Sequence, residues 1–189
     1  MFRIRTIAFM MLLVIQQTYA KTYYIQSAKE LNALSLQPGD TVIMKDGVWM
    51  DQPLQLTGKG TEAMPIVLMS SKPGKVVLKG ISNLQIDGVW LVVSGLYFSG
   101  SQTVKEDVVS FSDSSKWCRV TNTAIVDYNP SDKKTDNRYV SLRGAHNRVD
   151  HCFFKGKTNH GPTLVVWLSE KPNYHRIDHN HFGYRESLG

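Results

Sequence analysis

Asp150 and Asp178 lie one repeat apart, each preceded two positions earlier by an arginine, Arg148 and Arg176. Two carboxylates so placed could divide general-acid and general-base work between them. The same pattern also fits a ladder of alternating Arg and Asp on the outer face of a sheet, and the physics favours the ladder. Carboxylates stacked one strand apart, at about 4.8 Å, repel, and stacked arginines offset that repulsion. The six histidines invite a metal reading, with His179 and His181 two apart and His151 and His175 as possible neighbours. Zinc needs three or four donors converging on one point. His151 and His179 instead fall in a column where a backbone bend is expected, so the structural reading takes precedence for both. His160, in a loop beside Gly161-Pro162, is a candidate ligand contact.

Arg143, Tyr184, Arg185, Lys155 and Lys157 stand at strand ends or in loops. They are candidate contacts to an acidic, carboxylate-bearing polymer, because a guanidinium binds a carboxylate through two parallel hydrogen bonds. Trp49, Trp90, Trp117 and Trp167 are of a type that stacks on sugar rings, and equally of a type that packs a core. There is no phosphate loop, nucleophile elbow or redox motif.

The elements that must position these residues are written in a repeat. Val93–Phe98, Val120–Ile125, Val149–Phe154 and Ile177–Phe182 recur at a spacing of 27 to 29 residues. Their first column is Val, Val, Val, Ile and their last is Phe, Ile, Phe, Phe. The third is Gly95, Asn122, His151, His179, residue types that tolerate positive φ. Such a repeat in strand-forming residues is the signature of stacked coils, with a sharp bend at the same place in each. It predicts an all-β chain, a right-handed parallel β-helix (solenoid), its hand taken from the rule for parallel crossovers. A second strand set, Val108–Phe111, Tyr139–Leu142 and Thr163–Trp167, interleaves with the first. Ser27 with Glu30 three positions later, and Leu31 and Leu34 as an apolar stripe, predict a short N-terminal helix capping the solenoid. The polar linkers Asn129–Asn137 and Lys155–Pro162 are expected to project from one face as walls of a cleft.

The chain has 189 residues, with 22 basic and 16 acidic. Residues 1–20 read as a signal peptide, in which Arg3 and Arg5 precede the apolar run Ile7–Ile15 and a small residue, Ala20, at the cleavage point. The run is too short to span a bilayer. A mature chain 21–189, periplasmic or secreted and away from any membrane, is the expectation. Its remaining basic excess suits an acidic partner, and an exported chain makes nucleic acid a poor one. Cys118 and Cys152 are offset by about five residues of register, roughly 16 Å of strand. A disulfide needs Cα atoms within about 7 Å, so two buried free thiols are expected. The chain stops just after its last repeat with no capping segment, which suggests the N-terminal part of a longer protein.

The stretch Asn147–Phe154, then Gly161–Trp167, then His175–Arg185, resembles polysaccharide lyase family 6, which holds alginate lyases and chondroitinase B. Pro38-Gly39-Asp40, Asp46-Gly47 and Gly58–Thr61 are similar to it too. The resemblance implies β-elimination on an acidic polysaccharide, with calcium, held by oxygen ligands, neutralising the uronate carboxylate. It implies a lysine base and an arginine that assists the leaving group. No residue of this chain matches those ligands or that pair. The resemblance therefore places the catalytic groups beyond Gly189, and leaves Arg143, His160, Tyr184 and Arg185 as candidate substrate contacts. The Gly161–Trp167 stretch looks more like the alginate members. A non-catalytic carbohydrate-binding β-helix, or a chondroitin or dermatan lyase, remains the alternative. Oligomeric state is left open.

Overall fold

The computed structural model describes residues 19–102 and 106–185. The expected leader, apart from Tyr19 and Ala20, and the tail 186–189 lie outside the described residues. After β1 (Thr22–Ile25) and α1 (Ala28–Asn32) come β2 (Thr41–Met44), β3 (Gly47–Met50), β4 (Pro53–Lys59), β5 (Ile66–Ser70), β6 (Val76–Lys79) and β7 (Asn83–Val89). Then follow β8 (Leu91–Ser94), β9 (Leu96–Gln102), β10 (Val109–Phe111), β11 (Arg119–Thr121), β12 (Ala124–Pro130) and β13 (Val140–Leu142). The last are β14 (Arg148–Asp150), β15 (Phe153–Lys155), β16 (Leu164–Val166), β17 (Arg176–Asp178) and β18 (His181–Phe182). Every pairing is parallel, between a strand and its counterpart one coil on. The result is three sheets: A in the order β1-β2-β5-β8-β11-β14-β17, B from β3 to β18, and C from β4 to β16. The chain is a right-handed parallel β-helix of about five turns.

The repeat columns stack as their spacing required. Val93, Val120, Val149 and Ile177 are register partners in sheet A. Phe98, Ile125, Phe154 and Phe182 are partners in sheet B. Side chains alternate across each strand, so Leu54 and Leu56, Leu84 and Ile86, Val109 and Phe111, and Val140 and Leu142 send one face of sheet C into the core. The bend column takes the left-handed region at Gly95 (φ 82°), Asn122 (49°), His151 (52°) and His179 (55°). At Gly95 the side chain is also excluded by space, since a Cβ there would collide with Ser70 Oγ.

Helix α1 forms where expected. Ser27 is its N-cap and accepts the Glu30 N–H, while Ala28 and Leu31 are buried over the first coil. Cys118 and Cys152 are free and buried, and burial pushes both thiols up to about 11. No helix among the described residues is long and apolar enough to cross a membrane.

Candidate functional site

The outward positions at the middle of sheet C run in register through Gln55, Gln85, Ser110, Ser141 and Val165. On the early coils they border an open groove with Asn83, Asp107 and Pro53. On the later coils Trp167 lies back across the sheet. Its indole Nε1–H donates to Ser141 Oγ at 2.7 Å, and its main-chain N–H to Leu142 O at 2.9 Å. Two guanidinium groups flank the ring, with the Arg143 carbon 4.7 Å from the centroid and the Arg138 carbon 5.3 Å. Arg138 is spent on carboxylates: its Nη2 pairs with Asp136 at 2.7 Å, and its main-chain N–H donates to Asp107 Oδ1 at 2.8 Å. Among the described residues Arg143 has Asp113 as its one carboxylate partner, at 3.8 Å, and that carboxylate is 87% exposed.

The remaining nominated residues meet where sheet B turns into sheet C. Here the two linkers fold onto each other instead of projecting. Asn159, fully buried, donates to Asn137 Oδ1 at 2.6 Å and to Thr135 O at 2.7 Å. His160 is exposed and reaches Asp136 at 3.5 Å. Asp136 in turn holds Arg138, so a continuous chain of contacts runs from His160 through Asp136, Arg138 and Trp167 to Arg143. Arg185 donates to Asn159 O at 3.2 Å, and Tyr184 beside it is 71% exposed.

Lys157 corrects the reading of an exposed polymer contact, because it is buried. Its ammonium donates to Asn159 Oδ1 at 2.7 Å and His160 O at 3.2 Å, and lies 5.5 Å from the centre of the Tyr139 ring. All three partners are uncharged. Burial first, and the nearby Arg185 second, bring the ammonium pKa down to about 8.

Asp150 and Asp178 form the ladder, not an acid–base pair. Arg119 donates to both oxygens of Asp150, at 2.7 and 2.6 Å, and Arg148 does the same to Asp178, at 2.9 and 2.8 Å. Asp150 is fully buried beneath these arginines. Burial alone would raise its carboxyl, but Arg119, His151 and Arg148 together outweigh that and hold it below the usual range. Arg148, with His179 behind it, pulls Asp178 well down. Neither acid is free to carry a proton at neutral pH. The histidines support the ladder: Nδ1 of His151 lies 2.8 Å from Asp150 and Nδ1 of His179 2.7 Å from Asp178, with the two rings stacked at 5.0 Å.

One feature of the surface escaped the residue-by-residue reading. Trp90, Trp117, His146 and Tyr174 stack at 5.5, 5.2 and 5.1 Å on the corner between sheets C and A. All four have positive φ. They precede the Val93, Val120, Val149 and Ile177 column by three residues throughout, so the repeat that predicted one bend column also contained the other. Trp49, by contrast, is core.

Among the described residues no group of three or more His, Cys, Asp or Glu could hold a metal ion. The ladder acids are taken up by arginine.

Comparison with known proteins places this architecture. Residues 25–189 match the family model described as Chondroitinase B. The structure is similar to the PL6 family polysaccharide lyase Pedsa3628 from Pseudopedobacter saltans (TM-score 0.76, 37% identity, 82% of this chain and 36% of that one). It is similar to the PL6 family alginate lyase AlyGC (TM-score 0.82, 37% identity, 89% of this chain and 24% of that one). A mannuronic acid specific family 6 lyase from human gut microbiota also matches (TM-score 0.80, 35% identity, 89% of this chain and 42% of that one). A search of curated proteins gave no significant match. The chain belongs to the chondroitinase B family, that of the PL6 polysaccharide lyases. It spans between about a quarter and two-fifths of the length of these relatives.

Proposed function

We propose that this chain serves a polysaccharide lyase that cleaves an acidic uronate polymer, alginate foremost, by β-elimination. The observation that carries this is 35 to 37% identity to PL6 lyases over more than four-fifths of the chain. Two of those relatives are named for alginate or mannuronic acid, which favours alginate over dermatan or chondroitin polymers. In β-elimination the proton α to the uronate carboxylate leaves only if charge growing on that carboxylate is neutralised. In the proposed whole enzyme, calcium supplies that neutralisation. The residues of this chain bind and orient the polymer: Arg143, and at the neighbouring corner His160, Tyr184 and Arg185. Removal of the leader 1–20 would release the protein to the periplasm or beyond.

By itself the chain binds polymer and does not turn it over. One observation favours this: Lys157, with its pKa near 8, is buried and so withheld from a polymer on the surface. The test is to incubate the purified chain with alginate and with dermatan sulfate, with calcium, and follow absorbance of the unsaturated product beside affinity electrophoresis in gels containing each polymer. Retardation in alginate without product is the expected result. Product formation would overturn the binding-only reading, and retardation in dermatan sulfate alone would move the substrate.

A further inference from the structure

We propose that Arg143, seated on Trp167, is a preformed subsite for the carboxylate of an acidic pyranoside on the outer face of sheet C. The inference rests on the acidic-polymer reading above and assigns it a place. It starts from a difference between two arginines on one indole. Arg138 is neutralised by Asp136 at 2.7 Å and its side chain is 18% exposed. Arg143 is 43% exposed, and its nearest carboxylate among the described residues, on the freely exposed Asp113, is at 3.8 Å. An exposed pair at that distance adds little stability, so the guanidinium keeps its paired N–H donors for an incoming anion.

An arginine on a surface ordinarily loses side-chain entropy when it binds. Here that freedom is already restricted. The guanidinium lies 4.7 Å from the Trp167 centroid, and the indole is itself held by its bond to Ser141 Oγ, with the Trp167 main chain anchored to Leu142 O. Preorganisation of this kind raises affinity by lowering the cost of ordering. The guanidinium fork matches the two oxygens of a carboxylate in its plane. The positions in register with Ser141 toward the N-terminus, Ser110, Gln85 and Gln55, carry neutral donors and acceptors suited to sugar hydroxyls. A chain laid along them would bring a carboxylate to Arg143. Planar carboxylate chemistry favours uronates over sulfated sugars.

The test measures binding of mannuronate and guluronate oligosaccharides, a dermatan sulfate oligosaccharide and a neutral cello-oligosaccharide by calorimetry. The proteins compared are wild type, Arg143→Ala, Arg143→Lys, Trp167→Phe and Arg176→Ala. Arg176 is an exposed arginine on sheet A and controls for net charge. Arg143→Ala is expected to weaken uronate binding roughly tenfold, as loss of a charge-assisted hydrogen bond would. Arg143→Lys should recover only part of this, Trp167→Phe should weaken binding less, and Arg176→Ala should have no effect. Folding is checked by circular dichroism. Equal losses for Arg143→Ala and Arg176→Ala would reduce the site to general attraction and sink the inference. Wild-type binding of uronates unchanged by Arg143→Ala would also sink it while leaving the acidic-polymer reading intact. Tighter binding of dermatan sulfate than of the same oligosaccharide after desulfation, lost in Arg143→Ala, would assign the site to sulfate instead. No binding of any acidic oligosaccharide by wild type would overturn the acidic-polymer reading itself.

Discussion

Lys157 shows how far a residue's chemistry depends on its surroundings. In sequence it is one more loop cation. In the fold it is a buried ammonium whose acceptors are all neutral. Its folded pKa, about 8, lies below the ordinary 10.5. The folded state therefore carries a penalty for the charged form, complete below pH 8 and relieved as pH rises from 8 toward 10.5. Between those values the unfolded chain binds more protons, so stability increases with pH. Lys157→Met, which keeps the stem and drops the charge, should abolish that rise. Thermal denaturation of both proteins at pH 7, 9 and 10.5 checks this, and a melting difference constant with pH would contradict it. The bend column makes a second prediction at this scale. His151 holds φ 52°, where a β-branched residue is strained. His151→Val is expected to cost about 1 to 3 kcal/mol and His151→Gly much less, as denaturant titration would read.

Strands β11, β14 and β17 are linked by more than their main-chain ladder. Arg119 and Arg148 each reach diagonally to the Asp of the next coil, while Arg176 pairs with Asp178 of its own strand, so the side-chain ladder ties neighbouring coils as the main chain does. Asp150 is the sensitive rung, because it is fully buried under Arg119 and Arg148. Asp150→Asn keeps the shape and loses the charge, and is expected to destabilise by about 2 to 3 kcal/mol, the scale of a hydrogen bond to a charged group. Both ladder carboxyls sit below their unfolded values. Their stabilisation is complete above about pH 4 and fades as pH falls through the folded values. Acid unfolding of Asp150→Asn should accordingly be less steep than that of wild type between pH 4 and 2. The ladder was legible in sequence because the spacing of Asp150 and Asp178 matches the coil. The depth of Asp150 was not, because it depends on how two arginines from different coils close over it.

Across the whole molecule, strand pairing joins only neighbouring coils, and stability approximates a sum of coil and interface contributions. The middle coils bury both columns completely: Leu68, Val93 and Phe98 are fully enclosed. In the last coil Leu164 and Val166 are only partly covered, and Ile177 and Phe182 are exposed. Hydrogen exchange should therefore be slowest in β5 to β12 and fastest in β16 to β18. Phe98→Ala, in the middle, should cost about 3 to 5 kcal/mol, against less than half of that for Phe182→Ala.

The amino-acid sequence alone determined the solenoid, its register and its bends. Those are local and periodic properties: strand preference, alternation, and residues that tolerate positive φ, repeated every 27 to 29 positions. It also placed the capping helix, through Ser27 and Glu30, and kept the two cysteines apart by register. What only the tertiary structure decided was which polar side chains remain available. Arg138 and Arg143, five residues apart, look alike in sequence, and Lys157 looks like Lys155. The fold pairs Arg138 with Asp136, buries Lys157 among asparagines, and leaves Arg143 open on Trp167. Those outcomes depend on contacts between different coils and between two irregular linkers. Such contacts follow no period, so no repeat in the chain could announce them.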